Sequence, residues 1–324
     1  MSRARLLSSA ILAASIFTQT PAQTDRAAKW HTGDADACFG KAEELYKRGS
    51  YAAAAGYYRK ATLIRPDHAP AYNGICASLY NLGQLEAAAG VCAQTLKLQP
   101  GSPVARRNLG KVLQGLGRLE EAAAQLRQAV GLKPDYCEAH YSLGEIYREM
   151  GRDQEAAGAF EEAVRLRPDD ALSHNNLGVS YYKLGRYAAA VSSLERALRL
   201  RPDLSEGYGN LGFAYAKTKQ YERALGAYRR ALELKPDRPE VYYEMAHAQL
   251  LLGRYEDARS SCVKALRLMP AFAPAYQCLG FVYLAQGKKD AALEQYNKLK
   301  SLDPDLASTL LRMIYKDRIV DARR

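Results

Sequence analysis

The reactive side chains of this sequence are its cysteines and histidines, and none of them forms a recognisable catalytic or metal-binding pattern. The six cysteines are Cys38, Cys76, Cys92, Cys137, Cys262 and Cys278. Their spacing lacks the pairing of a zinc site, and the sequence has neither a phosphate-binding glycine loop nor a nucleophile elbow. His140 and His174 allow two interpretations, a metal pair or core packing, and packing is favoured. The sequence therefore predicts no enzyme, no metal site and no cofactor.

A strict period positions these residues. Prolines recur every 34 residues without insertion or deletion, at Pro66, Pro100, Pro134, Pro168, Pro202, Pro236, Pro270 and Pro304. Each unit carries two apolar stripes at helical spacing, split by a turn that usually contains glycine. One such hairpin cannot bury both of its faces, so neighbouring units must stack. The sequence predicts an all-α solenoid of eight helical hairpins in one elongated unit.

Small residues mark the place where the two helices of a unit must meet. In unit five these are Gly178 and Ala190, and their size predicts a close approach of the two helices. Lys219 replaces the mid-unit glycine of unit six, and the period continues through it. The first unit is degraded, as expected for a terminal unit with one face in solvent.

Two further positions recur with the prolines. Leu-Gly pairs stand at Leu109-Gly110, Leu143-Gly144, Leu177-Gly178, Leu211-Gly212 and Leu279-Gly280. An alanine recurs at Ala54, Ala88, Ala122, Ala156, Ala190, Ala224, Ala258 and Ala292. With these residues the sequence resembles the tetratricopeptide repeat (TPR) family over Ala35–Leu306. The resemblance implies a right-handed superhelix of hairpins, with repeats at 35–68, 69–102, 103–136, 137–170, 171–204, 205–238, 239–272 and 273–306.

The first 22 residues differ from the repeats. Arg3 and Arg5 precede the uncharged segment Leu6–Phe17, and small residues follow up to Ala22. This pattern predicts a secretory signal peptide at 1–22 and an exported protein, periplasmic or secreted. The alternatives are an organelle presequence, an uncleaved anchor or a disordered start. Residues 23–34 form a polar lead-in, and no membrane span is expected after signal removal.

The last proline is followed by an amphipathic pattern. Leu306, Leu310, Ile314 and Tyr315 form an apolar stripe. The segment 307–324 is therefore predicted to hold a helix that caps the last repeat, and a membrane-surface helix is the alternative.

The cysteines raise the question of disulfides in an exported chain. Cys76 and Cys92 occupy positions 8 and 24 of the second repeat, so they should face each other across its hairpin. This pair is therefore a candidate disulfide. Cys262 and Cys278 form a weaker candidate pair, and burial as small apolar side chains is the alternative for all six.

The resemblance implies that the first helix of each repeat lines a concave groove. The predicted partner-binding residues are Asn73, Asn108, Lys111, Tyr141, Asn175, Asn176, Tyr182, Asn210, Phe213 and Tyr243. An amide offers both a donor and an acceptor, so it can pair with a peptide unit of any sequence. The row of asparagines is similar to the asparagine ladder of the family member O-GlcNAc transferase. The carboxylate clamp of chaperone-binding members is not matched, because Phe39 and Glu43 stand where its Lys and Asn would be.

These features predict a non-enzymatic scaffold that binds an extended segment of a partner protein in the groove. The formal net charge is +11, but acidic side chains outnumber basic ones at the groove positions. The alternative is an envelope assembly factor that docks folded partners through a basic convex face. Nucleic acid is not an expected partner, because the groove is not basic and the chain carries an export pattern. The sequence does not define an oligomeric state.

Overall fold

The structure, a computed structural model, describes residues 32–315 as 17 helices without a strand. The predicted signal peptide, most of the lead-in and residues 316–324 of the predicted cap lie outside the described residues. Among residues 32–315, no helix is both long and apolar enough to span a bilayer. The contacts divide the chain after Leu166 into two compact units, where the unbroken period predicted one. In a linear repeat each hairpin contacts only its neighbours, so contacts cluster locally.

Unit 1 contains the first four hairpins. Its helices are α1 (Thr32–Lys47), α2 (Tyr51–Ile64), α3 (Ala69–Asn81), α4 (Leu85–Leu98), α5 (Pro103–Gly115), α6 (Leu119–Leu132), α7 (Cys137–Glu149) and α8 (Asp153–Leu166). Odd-numbered helices are the first helix of a repeat and even-numbered ones the second. Each first helix packs against its own second helix and against the second helix of the preceding repeat in the unit.

Unit 2 contains the other four hairpins and one further helix. Its helices are α9 (Ala171–Lys183), α10 (Tyr187–Leu200), α11 (Ser205–Lys217), α12 (Tyr221–Leu234), α13 (Pro239–Leu251), α14 (Tyr255–Leu268), α15 (Ala273–Ala285), α16 (Lys289–Leu302) and α17 (Pro304–Ile314). The described helices therefore form the all-α solenoid that the period predicted.

The residue just before each first helix often caps it. Ser102 accepts a hydrogen bond from the backbone N–H of Ala105 (3.2 Å), and Asp170 accepts one from Ser173 (3.1 Å). Such caps satisfy N–H groups that have no partner inside the helix. The second helices end two residues before the repeat proline, and the residue between, for example Arg65, has extended backbone angles. Extended backbone is favoured there because the proline ring disfavours helical geometry in the preceding residue.

The turn inside most hairpins requires a left-handed backbone. Gly185 and Gly253 both have φ near +73°, whereas Lys219 occupies the same position with φ +60°. A side chain in this conformation costs free energy that glycine avoids. The loss of the glycine in repeat six therefore leaves the fold unchanged but places a strained residue in its turn.

The close approach predicted at Gly178 and Ala190 is confirmed. A Cβ added to Gly178 would lie 2.6 Å from Leu194 Cγ and 3.2 Å from the carbonyl oxygen of Ala190. Leu194 and Ala190 are fully buried. Repeats four and six use the same device, since Phe160 and Tyr228 fill the space beside Gly144 and Gly212. A large side chain at position 24 thus packs against a glycine at position 8 and holds the hairpin together.

The helix predicted after the last repeat begins two residues earlier than the apolar stripe suggested. Asp303 accepts hydrogen bonds from the backbone N–H groups of Asp305 and Leu306, and Pro304 occupies the first turn. Proline is tolerated there because its missing N–H would have no helical partner. Leu310 is fully buried and lies against Gly280, so α17 covers the last hairpin.

Candidate functional site

The first helices of unit 1 line a polar cavity of about 180 Å³ that is open to solvent on one side. We call it the cationic cavity, and its lining side chains that bear on function are Tyr46, Tyr80, Asn81, Arg107, Asn108 and Lys111. They come from α1, α3 and α5, so three successive repeats contribute to one site. Two predicted site residues, Asn108 and Lys111, are brought together here. The other four were not among the predicted site residues, although their positions on the first helices could have indicated them.

The positive charge of this cavity has little compensation nearby. Arg107 and Lys111 are one helical turn apart on α5, and no acidic residue lines the cavity in the part of the chain that the structure describes. Burial, together with the neighbouring Arg107 guanidinium, lowers the pKa of the Lys111 ammonium below its usual value of 10.5. The Nε atom of Arg107 is buried and finds no hydrogen-bond acceptor within residues 32–315.

The acidic group that attracts Lys111 also has other partners. Glu145 on α7 attracts Lys111, but it also attracts Arg148 and accepts a hydrogen bond from Tyr141. Burial affects the Glu145 carboxyl more than its charged neighbours do, and it raises the pKa above the usual value of 4.5. The cavity therefore keeps an attraction for negative charge that Glu145 does not remove.

Two hydrogen bonds orient the Asn81 side chain in the polar wall of the cavity. Asn81 donates through Nδ2 to the hydroxyl oxygen of Tyr46 (2.9 Å) and to the carbonyl oxygen of Ala77 (2.9 Å). Because the Tyr46 oxygen acts as an acceptor, its own proton is available to another acceptor. The Lys111 ammonium lies 5.5 Å from the centre of the Tyr80 ring, a cation–π contact.

Two other predicted residues of unit 1 have different surroundings. Asn73 on α3 does not line the cavity, and its Oδ1 atom is buried without a hydrogen-bond partner in the described residues. Tyr141 packs its ring edge-on against Phe160, with ring centroids 5.7 Å apart. Tyr141 is thus partly a packing residue of its hairpin.

Unit 2 carries a different polar group on its first helices, which we call the amide cluster: Asn175, Asn176 and Asn210. Asn210 donates from Nδ2 to Asn175 Oδ1 (3.2 Å), which joins α11 to α9. Asn175 in turn donates to Asn176 Oδ1 at a longer 3.4 Å. Asn175 and Asn176 are each only 8% exposed. These two asparagines are therefore buried in the seam between adjacent first helices.

A glutamate takes the ladder position in repeat seven. Burial raises the pKa of Glu244 above its usual value of 4.5, and nearby Lys217 partly opposes that shift. Burial and the Glu244 carboxylate also raise the pKa of Tyr182. The first-helix surface of unit 2 therefore combines neutral amides with one partly buried acid.

The predicted aromatic residues of unit 2 pack within the unit as well as lining its first-helix surface. Tyr182 contacts Tyr187, Phe213 contacts Tyr228, and Tyr243 contacts Phe272, each with ring centroids 5.5–5.7 Å apart. All three predicted residues are half-buried. Burial raises the pKa of Tyr243 to about 12.

The two histidines that raised the question of a metal site contact backbone carbonyls between repeats. His140 Nε2 lies 2.9 Å from the carbonyl oxygen of Pro134, and His174 Nε2 lies 3.1 Å from that of Pro168. Each ring therefore binds the carbonyl of the preceding repeat proline. Residues 32–315 contain no group of three or more metal-ligating side chains.

The cysteines of repeat two are paired. The structure joins Cys76 to Cys92 in a disulfide with Cα atoms 5.5 Å apart, and Cys76 also lines the cationic cavity. The pair occupies the positions where other repeats place a glycine and a large side chain. Cys262 and Cys278 are buried and unbridged, and hydrogen bonding to Cys278 raises the pKa of Cys262. The solution redox state of Cys76 and Cys92 stays a prediction.

Several arginines of the second helices and turns are paired with acids. The pairs in unit 1 include Arg118–Glu121, Arg152–Glu155 and Arg165–Glu162, all within 2.7 Å. Those in unit 2 are Arg223–Glu195, Arg230–Glu233, Arg254–Glu222 and Arg259–Glu256, all within 3.0 Å. Exposed pairs add little stability, but they neutralise the local field. Arg196 and Arg229, by contrast, are exposed and form no salt bridge among the described residues.

Stacked 34-residue hairpins with a polar first-helix surface define a repeat solenoid, a class that presents extended binding surfaces. Family models described as tetratricopeptide repeat match residues 39–103, 107–171, 169–237, 215–262 and 273–306. The chain belongs to the tetratricopeptide repeat family. A comparison with curated protein sequences gives no match.

Three solved structures show the same fold. The first, the APC/C hetero-tetramer Cut9–Hcn1, is 20% identical over 85% of this chain, with a TM-score of 0.58. The match covers 54% of the Cut9–Hcn1 chain, so this chain spans about half of its length. PilW, a widely conserved type IV pilus biogenesis factor, is 24% identical over 64% of this chain and 98% of its own, with a TM-score of 0.58.

The third structure is YrrB, described as a TPR protein with an unusual peptide-binding site. It is 22% identical over 58% of this chain and 96% of its own, with a TM-score of 0.53. At these identities the three structures are informative about the fold alone.

Proposed function

We propose that this chain is a non-enzymatic scaffold that binds an extended segment of a partner protein along its first helices. The observation that carries the proposal is the hydrogen bond between Asn210 and Asn175, since it joins amides of successive repeats into one row. Amides that pair with each other can also pair with peptide units, because each keeps further donor and acceptor capacity. A bound strand would run across the repeats and meet one amide after another.

Peptide binding is also consistent with the chemistry of the first helices in unit 1. Polar groups with unused hydrogen-bond capacity lie there, namely Asn73 Oδ1 and Arg107 Nε in unit 1. A buried polar group without a partner costs about 1–3 kcal/mol, so a ligand that satisfies it gains affinity. YrrB, which shares the fold, is described as having a peptide-binding site.

The second candidate is an envelope assembly factor that docks folded partners through basic second helices. The net charge of +11 and the fold shared with the pilus biogenesis factor PilW favour it. Pairing weakens it in part, because seven arginines of this surface already face a carboxylate within 3.0 Å. Charges that are matched and exposed attract a protein surface weakly, especially in salt.

Export to the periplasm or the medium is part of the proposal, with organelle targeting as the alternative. Cys76 and Cys92 are placed for a disulfide, and such a bond persists in the oxidising compartment that export would provide. N-terminal sequencing of the protein from its native host should begin near Gln23. Soluble cytosolic protein that retains Met1 would contradict export.

Site-specific photo-cross-linking tests the scaffold proposal and does not require that the partner be identified first. A photoreactive phenylalanine is placed at Lys111 or Lys217 on first helices, and at Arg196 or Arg229 on second helices. After irradiation in the native host, cross-linked adducts of defined mass are expected at the first pair and not at the second. Adducts confined to Arg196 and Arg229 would favour docking on the second helices instead.

A further inference from the structure

Unit 2 places two unbridged thiols side by side at the junction of repeats seven and eight. Cys262 lies on α14 and Cys278 on α15, and these two helices pack against each other. Both side chains are buried, with 0% and 3% of their surface exposed, and both belong to one core cluster. The two thiols are also hydrogen-bonded to each other. Their sulfur atoms are therefore neighbours across a seam between repeats.

The repeat positions of the two cysteines explain why they meet. Cys262 and Cys92 both occupy position 24, which packs against position 8 of the same repeat. In repeat two, position 8 holds Cys76, which is bonded to Cys92. In repeat seven, position 8 holds Ala246, which has no sulfur, and Cys278 of the next repeat joins the cluster instead. The cysteine at position 24 thus has its sulfur partner within the repeat in unit 1 and in the following repeat in unit 2.

We propose that Cys262 and Cys278 are a latent disulfide that, once oxidised, joins repeat seven covalently to repeat eight. The oxidant is a disulfide-bearing molecule such as oxidised glutathione. One cysteine attacks it as a thiolate, which forms a mixed disulfide and releases one thiol, and the other cysteine then displaces the second thiol. One S–S bond forms in the protein, the S–S bond of the oxidant is broken and reduced, and the two cysteine protons end on the released thiols. The inference is independent of the proposed function.

Burial keeps this pair reduced while the junction is closed. Hydrogen bonding to Cys278, together with burial, raises the pKa of Cys262 above its usual value of 9.0, so the reactive thiolate is disfavoured. Apolar side chains pack around the cluster, among them Leu250, Leu266 and Tyr283. An oxidant therefore reaches the thiols only when repeat eight separates from repeat seven.

A bond at this junction acts where the solenoid opens most readily. Repeat eight packs against repeat seven on one side and against α17 on the other, and the end of a linear repeat has fewer neighbours to hold it. A bond between α14 and α15 limits that opening. Cys278 occupies position 6, where Asn176 and Asn210 stand in repeats five and six. Repeat eight thus uses this position of the row for closure of the junction.

Peptide mapping of the full chain tests whether the bond forms. The protein is incubated in glutathione buffers of fixed oxidised-to-reduced ratio, with and without mild urea that opens the terminal repeats, and free thiols are then alkylated. We expect peptides linked through Cys262 and Cys278 in oxidising buffer, formed faster in urea and separated again in reducing buffer. Cys137 is the control and should stay unlinked, because it is also buried but hydrogen-bonds to the carbonyl oxygen of Ala163.

Two outcomes of the mapping would overturn the proposal. One is that both thiols stay free at every glutathione ratio, in urea as well as in buffer. The other is that either cysteine stays in a mixed disulfide with glutathione, since neighbouring thiols should resolve such a species.

Hydrogen exchange measures what the bond does to the junction. Oxidation should slow exchange of the backbone amides of α15 and α17 on the order of 100-fold, because closing a loop of roughly 16 residues restricts opening. Cys278→Val keeps an apolar side chain of similar size and should abolish this slowing in the same oxidising buffer. Linked wild-type protein that exchanges as fast as Cys278→Val would contradict covalent closure of the junction.

Discussion

The first helices of the two units occupy equivalent positions in the repeat but present different chemistry. In unit 1, Asn108 stands beside Arg107 and Lys111 in a cavity without an acid among its described lining residues. In unit 2, Asn176 and Asn210 take part in a network of amides, and the next repeat supplies Glu244. The repeat thus fixes where a side chain lies, while individual substitutions decide what the surface recognises. Unit 1 is suited to a negative group and unit 2 to a neutral peptide backbone.

The units also differ in how one hairpin is closed. Repeat two of unit 1 uses the Cys76–Cys92 bond where repeats five and six of unit 2 use Gly178 with Leu194 and Gly212 with Tyr228. The same two repeat positions therefore hold either a disulfide or a glycine packed against a large side chain. This difference leads to the prediction with the largest expected effect.

Removal of the disulfide should destabilise unit 1 by about 3 kcal/mol, since the bond closes a loop of roughly 16 residues. Urea unfolding of the Cys76→Ser, Cys92→Ser double variant against wild type measures this change. Thiol counting on denatured, unreduced protein should find four free thiols of the six. Six free thiols in exported protein, or equal unfolding midpoints, would contradict the disulfide.

Overpacking the hairpin of repeat five should destabilise unit 2 by about 1–3 kcal/mol. Ala190→Leu places a larger side chain at the closest approach of α9 and α10, where no space remains. Ala188→Leu, at an exposed position of the same helix, is the matched control and should leave the thermal midpoint unchanged. Equal midpoints for the two variants would show that the crossing is wrongly placed.

The two surfaces should respond differently to loss of an amide. Asn176→Ala should cost about 1 kcal/mol, because it removes the acceptor of the buried Asn175 amide. Asn108→Ala should cost only a few tenths, because the structure gives Asn108 no hydrogen-bond partner among the described residues. Chemical denaturation of both variants measures the contrast. Equal losses would mean that the amides of unit 2 are not coupled in solution.

The smallest expected effect concerns the turn of repeat six. Lys219→Gly should stabilise the protein by about 0.5–1 kcal/mol, since it removes the strain of φ +60° but adds backbone entropy to the unfolded chain. Gly253→Lys, the reverse change in repeat seven, should destabilise by a similar amount. A destabilised Lys219→Gly variant would show that the lysine side chain makes a contribution larger than the strain.

The fold could be read from the sequence because it depends on periodic features. The prolines, the glycines of the turns and the alanines of the helix crossings each impose a local geometry that recurs in the structure. The start of α17 lies two residues before the apolar stripe because Asp303 caps the helix with its side chain, which an apolar pattern does not reveal.

The site could be predicted only in part. Position in the repeat placed Asn108 and Lys111 on the correct surface, but it could not show that Arg107, Tyr46 and Asn81 join them in one cavity. That grouping depends on how three first helices pack side by side. Burial of Asn175 and Asn176 was missed for the same reason, because exposure at a seam is set by neighbouring repeats rather than by the period.

The central claim is that the partner binds the first helices, and one titration tests it most directly. The captured partner is titrated against wild type, against Asn108→Ala with Asn210→Ala, and against Arg196→Glu with Arg229→Glu. The amide variant should lose affinity by about tenfold or more, because each lost pairing costs about 1 kcal/mol. The arginine variant, altered at exposed second-helix positions, should bind as wild type does. Normal binding by the amide variant together with failure of the arginine variant would contradict the account.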